Sequence, residues 1–169
     1  MRCRLAFAFV LAVPPAFAAE MNLTVQIPTL KVAEYHRPYV AVWIEREDHS
    51  VAANLAVWYD VKKADGEGTK WLKDVRQWWR RSGREQAMPI DGVSGATRPA
   101  GQHQLSFTAG KPPLGDLAAG KYELVVEAAR EVGGREMQRI PFTWPATSPT
   151  HLSAQGSDEL GLISLDLNP

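Results

Sequence analysis

Residues 39–45 form the stretch YVAVWIE. Its β-branched and aromatic side chains are typical of a β-strand. A second run of the same kind, LAVWY, follows at residues 55–59. The polar residues 48–50 (DHS) lie between the two runs, and they predict a turn that joins the strands as a hairpin.

Further strands are predicted on both sides of this hairpin. Apolar and polar residues alternate at 22–27, which is the pattern of a half-buried strand. Four later segments have strand composition: residues 104–107, 121–127, 140–144 and 163–167. About seven short strands with one inserted helix predict an all-β fold, an immunoglobulin-like antiparallel β-sandwich. We expect a single domain over residues 20–169.

Two connections have a composition of their own. Gly133 and Gly134 predict a hairpin turn, because glycine supplies the positive φ angles that a tight turn needs. Residues 145–158 are rich in Ser, Thr, Pro and Gly, and they predict a long surface loop.

Residues 71–81 interrupt the strand pattern. Their apolar side chains fall at i, i+1, i+4, i+7 and i+8, which predicts an amphipathic helix that Gly83 can end. Trp71, Trp78 and Trp79 belong to this apolar stripe. We favour the interpretation that they pack the helix on the sheet. The alternative is that an indole stacks on a planar ligand.

Residues 1–19 are typical of a secretory signal peptide. Arg2 and Arg4 precede an apolar run that ends in small residues, so cleavage is expected after Ala18 or Ala19. A membrane anchor is the alternative, but a spanning helix needs about 20 apolar residues and a pair of prolines interrupts this run. We therefore expect an exported, periplasmic protein that does not span the membrane once the signal is removed.

Charge and cysteine content exclude several functions. The chain has 19 basic and 19 acidic residues, and loss of Arg2 and Arg4 leaves a small acidic excess. This balance gives no electrostatic reason to bind nucleic acid. The one cysteine, Cys3, lies in the signal peptide, so disulfides, zinc–thiolate sites and cysteine nucleophiles are not expected in the mature chain.

Residues 91–97 (DGVSGAT) predict a small, polar, flexible loop outside the core. The part around Ser94 is close to a nucleophile elbow. That motif needs glycine where Ala96 stands, and it needs a helix where a strand is predicted. His103 is near in sequence, which does not by itself make a catalytic triad.

The four histidines also lack a ligand pattern. No two of them have the spacing of metal ligands on one helix or hairpin. We therefore assign no catalytic residue and no metal ligand. The histidines are His36, His49, His103 and His151.

The same heptapeptide resembles the D-G-x-[S/T]-G-A-T signature at which exported flavin transferases attach FMN. The resemblance implies that FMN is joined through its phosphate to Thr97. Ser94, Gly95 and Ala96 would form the recognised core, and Asp91 would order the loop by bonding backbone N–H groups two or three residues ahead. It also implies a Mg²⁺-dependent FMN transferase as partner, with FAD as donor. The chain would be the substrate of that enzyme and itself a non-catalytic electron carrier.

Longer stretches resemble the predicted periplasmic family called domain of unknown function 2271. They are residues 37–45, 55–58, 94–101, 120–122 and 127–131. Members of that family are often encoded beside flavin transferases and PepSY-type membrane proteins. The resemblance implies a periplasmic electron-transfer flavoprotein partnered with a PepSY-type inner-membrane protein.

One departure from these relatives is visible. Some relatives have a Trp-Asp-Gly turn where this chain has FTAG at residues 107–110, so the resemblance does not carry over a role of that turn in flavin contact. The alternative function is an unmodified periplasmic immunoglobulin-like binding or interaction module.

Overall fold

A computed structural model of the chain describes residues 18–169. The predicted signal peptide lies almost entirely outside this range. The described part consists mainly of nine strands, and its helical segments all lie in the connection between the third and fourth strands. The strands are β1 (Glu20–Ile27), β2 (Tyr39–Arg46), β3 (Val51–Tyr59), β4 (Ser94–Ala96), β5 (Gly101–Thr108), β6 (Gly120–Ala129), β7 (Arg135–Trp144), β8 (Thr150–Gln155) and β9 (Leu162–Asn168). The helical segments are a 3₁₀ stretch at Ala64–Asp74, helix α1 at Arg76–Arg81 and a 3₁₀ turn at Gly83–Glu85.

The strands form two sheets. One has the order β5-β1-β9-β8, and the other has the order β4-β3-β2-β6-β7. Side chains from both sheets share one apolar core. The predicted all-β sandwich with one inserted helix is confirmed. The β3–β4 pair is parallel, however, while the other pairs are antiparallel.

The five-stranded sheet is covered on both faces. In β2, Val42 and Ile44 pack in the core between the sheets. Ala41 and Trp43 belong instead to a second apolar cluster, which also contains residues of the helical connection. A strand buried on both faces has no polar side to alternate with, and this explains the continuous apolar run of residues 39–45.

The predicted single helix over residues 71–81 is wrong in its continuity. A 3₁₀ stretch ends at Asp74 and helix α1 begins at Arg76. Between them, Val75 has φ −76° and ψ 72°, which is not a helical conformation. The backbone therefore changes direction in the middle of the apolar stripe.

The connection over residues 145–158 also differs from the prediction. Thr150–Gln155 is strand β8, which pairs with β9, so the segment is not one long surface loop. Leu152 and Ala154 point toward the core, while their neighbours are exposed or half-buried. The period-2 pattern is present in the sequence but is carried by only two apolar residues.

The β6–β7 hairpin is confirmed, but its turn works differently from the prediction. The residue with a left-handed backbone is Val132 (φ 52°), and neither Gly133 nor Gly134 has a positive φ. Both glycines instead leave room for side chains. An added Cβ would lie 2.4 Å from Cζ of Arg130 at the first position and 2.9 Å from Oε1 of Glu159 at the second.

Candidate functional site

The predicted flexible loop contains an ordered edge strand. Strand β4 (Ser94–Ala96) pairs in parallel with the end of β3, and Trp58 stands opposite Gly95. Val57 N–H donates to Val93 O at 2.9 Å, which extends the pairing on one side. Val93 is 7% exposed and packs in the second apolar cluster, so the expectation that this segment lies wholly outside the core is wrong.

A tight turn precedes the strand. Gly92 has φ +67°, a conformation that favours glycine. The backbone N–H of Ile90 donates to Ser94 Oγ at 2.9 Å, and Ser94 N–H donates back to Ile90 O at 2.9 Å. Asp91 is exposed, and it takes part in none of the side-chain hydrogen bonds within residues 18–169. The ordering role expected of Asp91 therefore belongs to Ser94, which makes both hydrogen bonds to Ile90.

Gly95 lies against an indole ring. A Cβ added there would be 3.4 Å from Cδ1 of Trp58, which is ordinary contact distance. The other sides of this ring are occupied as well. The guanidinium carbon of Arg98 lies 5.4 Å from its centroid, and the His103 ring meets it edge-on at 5.6 Å. Trp58 is thus a packed support beneath the strand.

The hydrolase alternative lacks its structural setting. A nucleophile elbow sits between a strand and a helix, whereas β4 is followed by strand β5. Ser94 Oγ is already a hydrogen-bond acceptor for the turn backbone. His103 Nε2 is bonded to Pro99 O at 2.8 Å. These contacts give both side chains a structural role.

Thr97 lies in the wall of a cleft. Its N–H donates to Tyr59 O at 3.2 Å, which holds its backbone at the end of the sheet. Its hydroxyl has no hydrogen-bond partner among the described residues. The cleft has a volume of about 330 Å³. Aromatic residues Tyr35, Tyr39 and Trp71 contribute to its lining.

The cleft carries charges of both signs. Arg37, Lys63 and Arg130 line it together with carboxylates of the neighbouring loops. Burial raises the pKa of the Tyr39 hydroxyl above its ordinary value, and the charge of Asp60 acts in the same direction. Tyr39 therefore stays protonated at neutral pH and adds no charge to the lining of the cleft.

Arg130 is the most buried of the basic groups in the cleft. Its side chain is 6% exposed, and its Nε and Nη2 donate to the carboxylate of Glu159 at 2.9 and 3.0 Å. Its Nη1 is buried and has no hydrogen-bond partner among the described residues. A buried donor without a partner is uncommon in proteins.

The three tryptophans of the helical connection have different surroundings. Trp78 is fully buried, and its indole N–H donates to Asn54 Oδ1 at 2.8 Å. Trp79 is half-buried against the second apolar cluster. Trp71 is 42% exposed and lines the cleft. The packing interpretation is right for Trp78 and Trp79, and it does not account for Trp71.

One group of metal-ligating residue types is brought together elsewhere in the described chain. Glu45, His49 and Glu123 offer ligand atoms within 4.8 Å of one another. Arg139 already supplies positive charge there, because its Nη1 lies 2.8 Å from Glu45 and 2.6 Å from Glu123. The group is therefore an ion-pair network, and it lies outside the cleft that Thr97 lines.

This network predicts acid sensitivity. Burial acts to raise the pKa of Glu45, but hydrogen bonds from Arg139 and Trp43 outweigh it and hold the pKa below the usual 4.5. A lowered folded-state pKa contributes stability that is fully present above the unfolded value and is lost as pH falls through the folded one. The free energy of unfolding should therefore decrease with falling pH below about 4.5, and less steeply in Glu45→Gln. Urea unfolding at a series of pH values measures this.

The neighbouring Glu47 provides the control for this prediction. It is exposed and takes part in no ion pair of the described residues. Glu47→Gln should keep the acid slope of the wild type. Equal slopes for the wild type and Glu45→Gln would contradict the assignment.

The chain matches one known protein family over most of its length. The model of a family described as "Predicted periplasmic protein (DUF2271)" matches residues 20–162. The chain belongs to this family. Searches of curated proteins and of solved structures found no match. The matched range of this DUF2271 member includes Thr97, β4 and every residue that lines the cleft.

The family description agrees with the expected location of this DUF2271 member. The family is a predicted periplasmic one of unknown function. No helix within residues 18–169 combines the length and the apolar character that crossing a membrane requires. The expected cleavage after Ala18 or Ala19 stays a prediction.

Proposed function

We propose that this DUF2271 protein is a periplasmic electron-transfer flavoprotein that carries FMN on Thr97. The observation that carries the proposal is the position of the Thr97 hydroxyl. It has no protein partner in the described chain, and Thr97 is one of the residues that line a cleft of about 330 Å³. A covalent anchor at that point would leave the rest of the cofactor next to a space of ligand size.

The residues of the cleft fit a flavin. The aromatic rings of Tyr35, Tyr39 and Trp71 suit a planar conjugated ring system. Arg37 and Lys63 suit a phosphate that is attached to the neighbouring threonine.

The fold also suits attachment by an enzyme. β4 is the outermost strand of its sheet, so the segment with the acceptor motif lies at an edge and not between two strands. In the transfer, the Thr97 oxygen would form a bond to the FMN phosphorus of FAD, the pyrophosphate bond to AMP would break, and the hydroxyl proton would leave. Mg²⁺ in the transferase would offset the phosphate charge.

The chain's own residues then have a passive role. The flavin supplies the reversible electron transfer, while the protein supplies binding, orientation and electrostatics. The hydrogen bond from Thr97 N–H to Tyr59 O fixes the attachment point relative to the sheet. A PepSY-type inner-membrane protein as electron partner is proposed on the family resemblance.

The test is co-expression with an FMN transferase. The wild type should show a fluorescent flavin band after denaturing electrophoresis and a mass increase of one FMN less one water. Thr97→Ala should lose both signals down to background, because no other atom takes the place of the Thr97 oxygen. Thr147→Ala, in an exposed segment away from the cleft, is the matched control and should be modified like the wild type.

Two results would contradict the proposal. One is a wild type that stays unmodified although a known target of the same transferase is modified in the same cells. The other is a Thr97→Ala variant with an undiminished band, which would place the attachment on another residue.

A further inference from the structure

We infer that Trp71 and Tyr35 bind the isoalloxazine ring of the flavin anchored at Thr97. The inference rests on the proposed function and extends it to the residues that hold the ring. Trp71 comes from the 3₁₀ stretch before α1, and Tyr35 comes from the connection between β1 and β2. Both line the same cleft as Thr97, although they are more than 20 residues distant from it in sequence.

Their exposure sets these two side chains apart. Six large hydrophobic side chains of the described chain are exposed, and only two of the six are aromatic. These two are Trp71, at 42%, and Tyr35, at 40%. Single exposed hydrophobic residues are ordinary. Two exposed rings in the wall of one cleft are better explained by a planar ligand that covers them.

The fold does not require Trp71 for packing. The neighbouring Leu72 and Val75 are fully buried, and together with Trp78 they attach the helical connection to the sheet. Because the backbone at Val75 is not helical, the side chains of Trp71 and Trp78 do not lie on the same face of one continuous helix. The indole is therefore left at the cleft while the remainder of the apolar stripe is buried.

The guanidinium of Arg130 lies against the Tyr35 ring. The guanidinium carbon of Arg130 lies 6.0 Å from the centroid of the Tyr35 ring. The unpartnered Nη1 belongs to the same guanidinium, whose other two nitrogens are bonded to Glu159. The exposed rings offer aromatic surface to the flavin, while the guanidinium of Arg130 stays bonded to Glu159 beside Tyr35.

Flavin fluorescence provides the test, because electron-rich indole and phenol rings quench an excited flavin on contact and phenylalanine does not. In flavinylated wild-type protein, native emission should be several-fold lower than emission after denaturation. Trp71→Phe should raise native emission several-fold, and addition of Tyr35→Phe should raise it further. The fluorescence of the denatured band should stay constant, since attachment at Thr97 is unchanged.

Trp79→Phe is the matched control. Trp79 belongs to the same connection but lines a different depression, together with Lys73, Arg76, Arg80 and Arg135. This variant should keep the quenching of the wild type. A wild type that is already unquenched, or equal native emission from Trp71→Phe and Trp79→Phe, would overturn the inference while leaving the attachment intact.

A second measurement does not depend on attachment. Riboflavin titrated into Thr97→Ala protein should be quenched as it binds the cleft, and Trp71→Phe in the same background should weaken this binding several-fold. Binding that is unaffected by Trp71→Phe would overturn the inference. A wild type without covalent flavin overturns the proposed function, and riboflavin binding then still decides whether these rings form a flavin site.

Discussion

Arg130→Met is expected to lower the free energy of unfolding by about 3–5 kcal/mol, because removal of one partner leaves a buried charge uncompensated. The side chains of Arg130 and Glu159 are only 6% and 4% exposed. The hydrogen bond to Glu159 raises the pKa of the Arg130 guanidinium, so the arginine stays charged. In the variant, Glu159 would keep only the N–H of Gly134, at 2.8 Å. Urea unfolding at neutral pH, followed by tryptophan fluorescence, measures the loss.

A double variant separates charge from packing. Arg130→Met combined with Glu159→Leu replaces both charges by apolar groups, and such replacements are often neutral or stabilising. The double variant should therefore recover most of the lost stability. If the double variant is as unstable as Arg130→Met alone, the loss of stability comes from lost packing and not from the unpaired carboxylate of Glu159.

Trp78→Ala is expected to cost a similar amount, about 3–5 kcal/mol, through loss of a fully buried aromatic side chain. The ring packs so closely over Gly83 that a Cβ there would lie 2.5 Å from it. Its backbone N–H donates to the carboxylate of Glu127 at 2.9 Å, which attaches α1 to β6. Loss of the indole also leaves Asn54 Oδ1 without its donor. Urea unfolding gives the magnitude.

Trp79→Ala tests whether burial is the cause. Trp79 is the adjacent residue with the same side chain, but it is only half-buried. Its truncation should cost clearly less than that of Trp78, because less apolar surface leaves contact. Equal losses for the two variants would contradict the assignment of Trp78 as the main anchor of the helical connection.

Most of the strands could be predicted because each one carries its own pattern. β1 alternates in hydropathy, and β2 is a continuous apolar run because both faces of its sheet are covered. Strand β4 has no such pattern. Its Ser-Gly-Ala sequence has low strand propensity, and it is a strand only because the end of β3 offers free hydrogen-bonding groups. Long-range pairing of this kind leaves no local signal.

The different burial of Trp71 and Trp78 could not be predicted from the sequence. In one continuous helix, Trp71 and Trp78 are seven residues apart and would lie on nearly the same face. The backbone at Val75 breaks the helix, so Trp78 becomes fully buried while Trp71 remains 42% exposed. Hydropathy is the same for both indoles. Only the path of the backbone makes Trp78 a buried core residue and Trp71 an exposed residue that lines the cleft.

Short patterns of neighbouring residues were enough to predict the β-sandwich, the family, and Thr97 as the candidate acceptor of FMN. The surroundings of Thr97 depend on the tertiary structure. The cleft collects Tyr35, Trp71 and Arg130 from three distant segments. Their convergence depends on how the sheet and the helical connection pack, and that arrangement is not encoded in any one stretch of the chain.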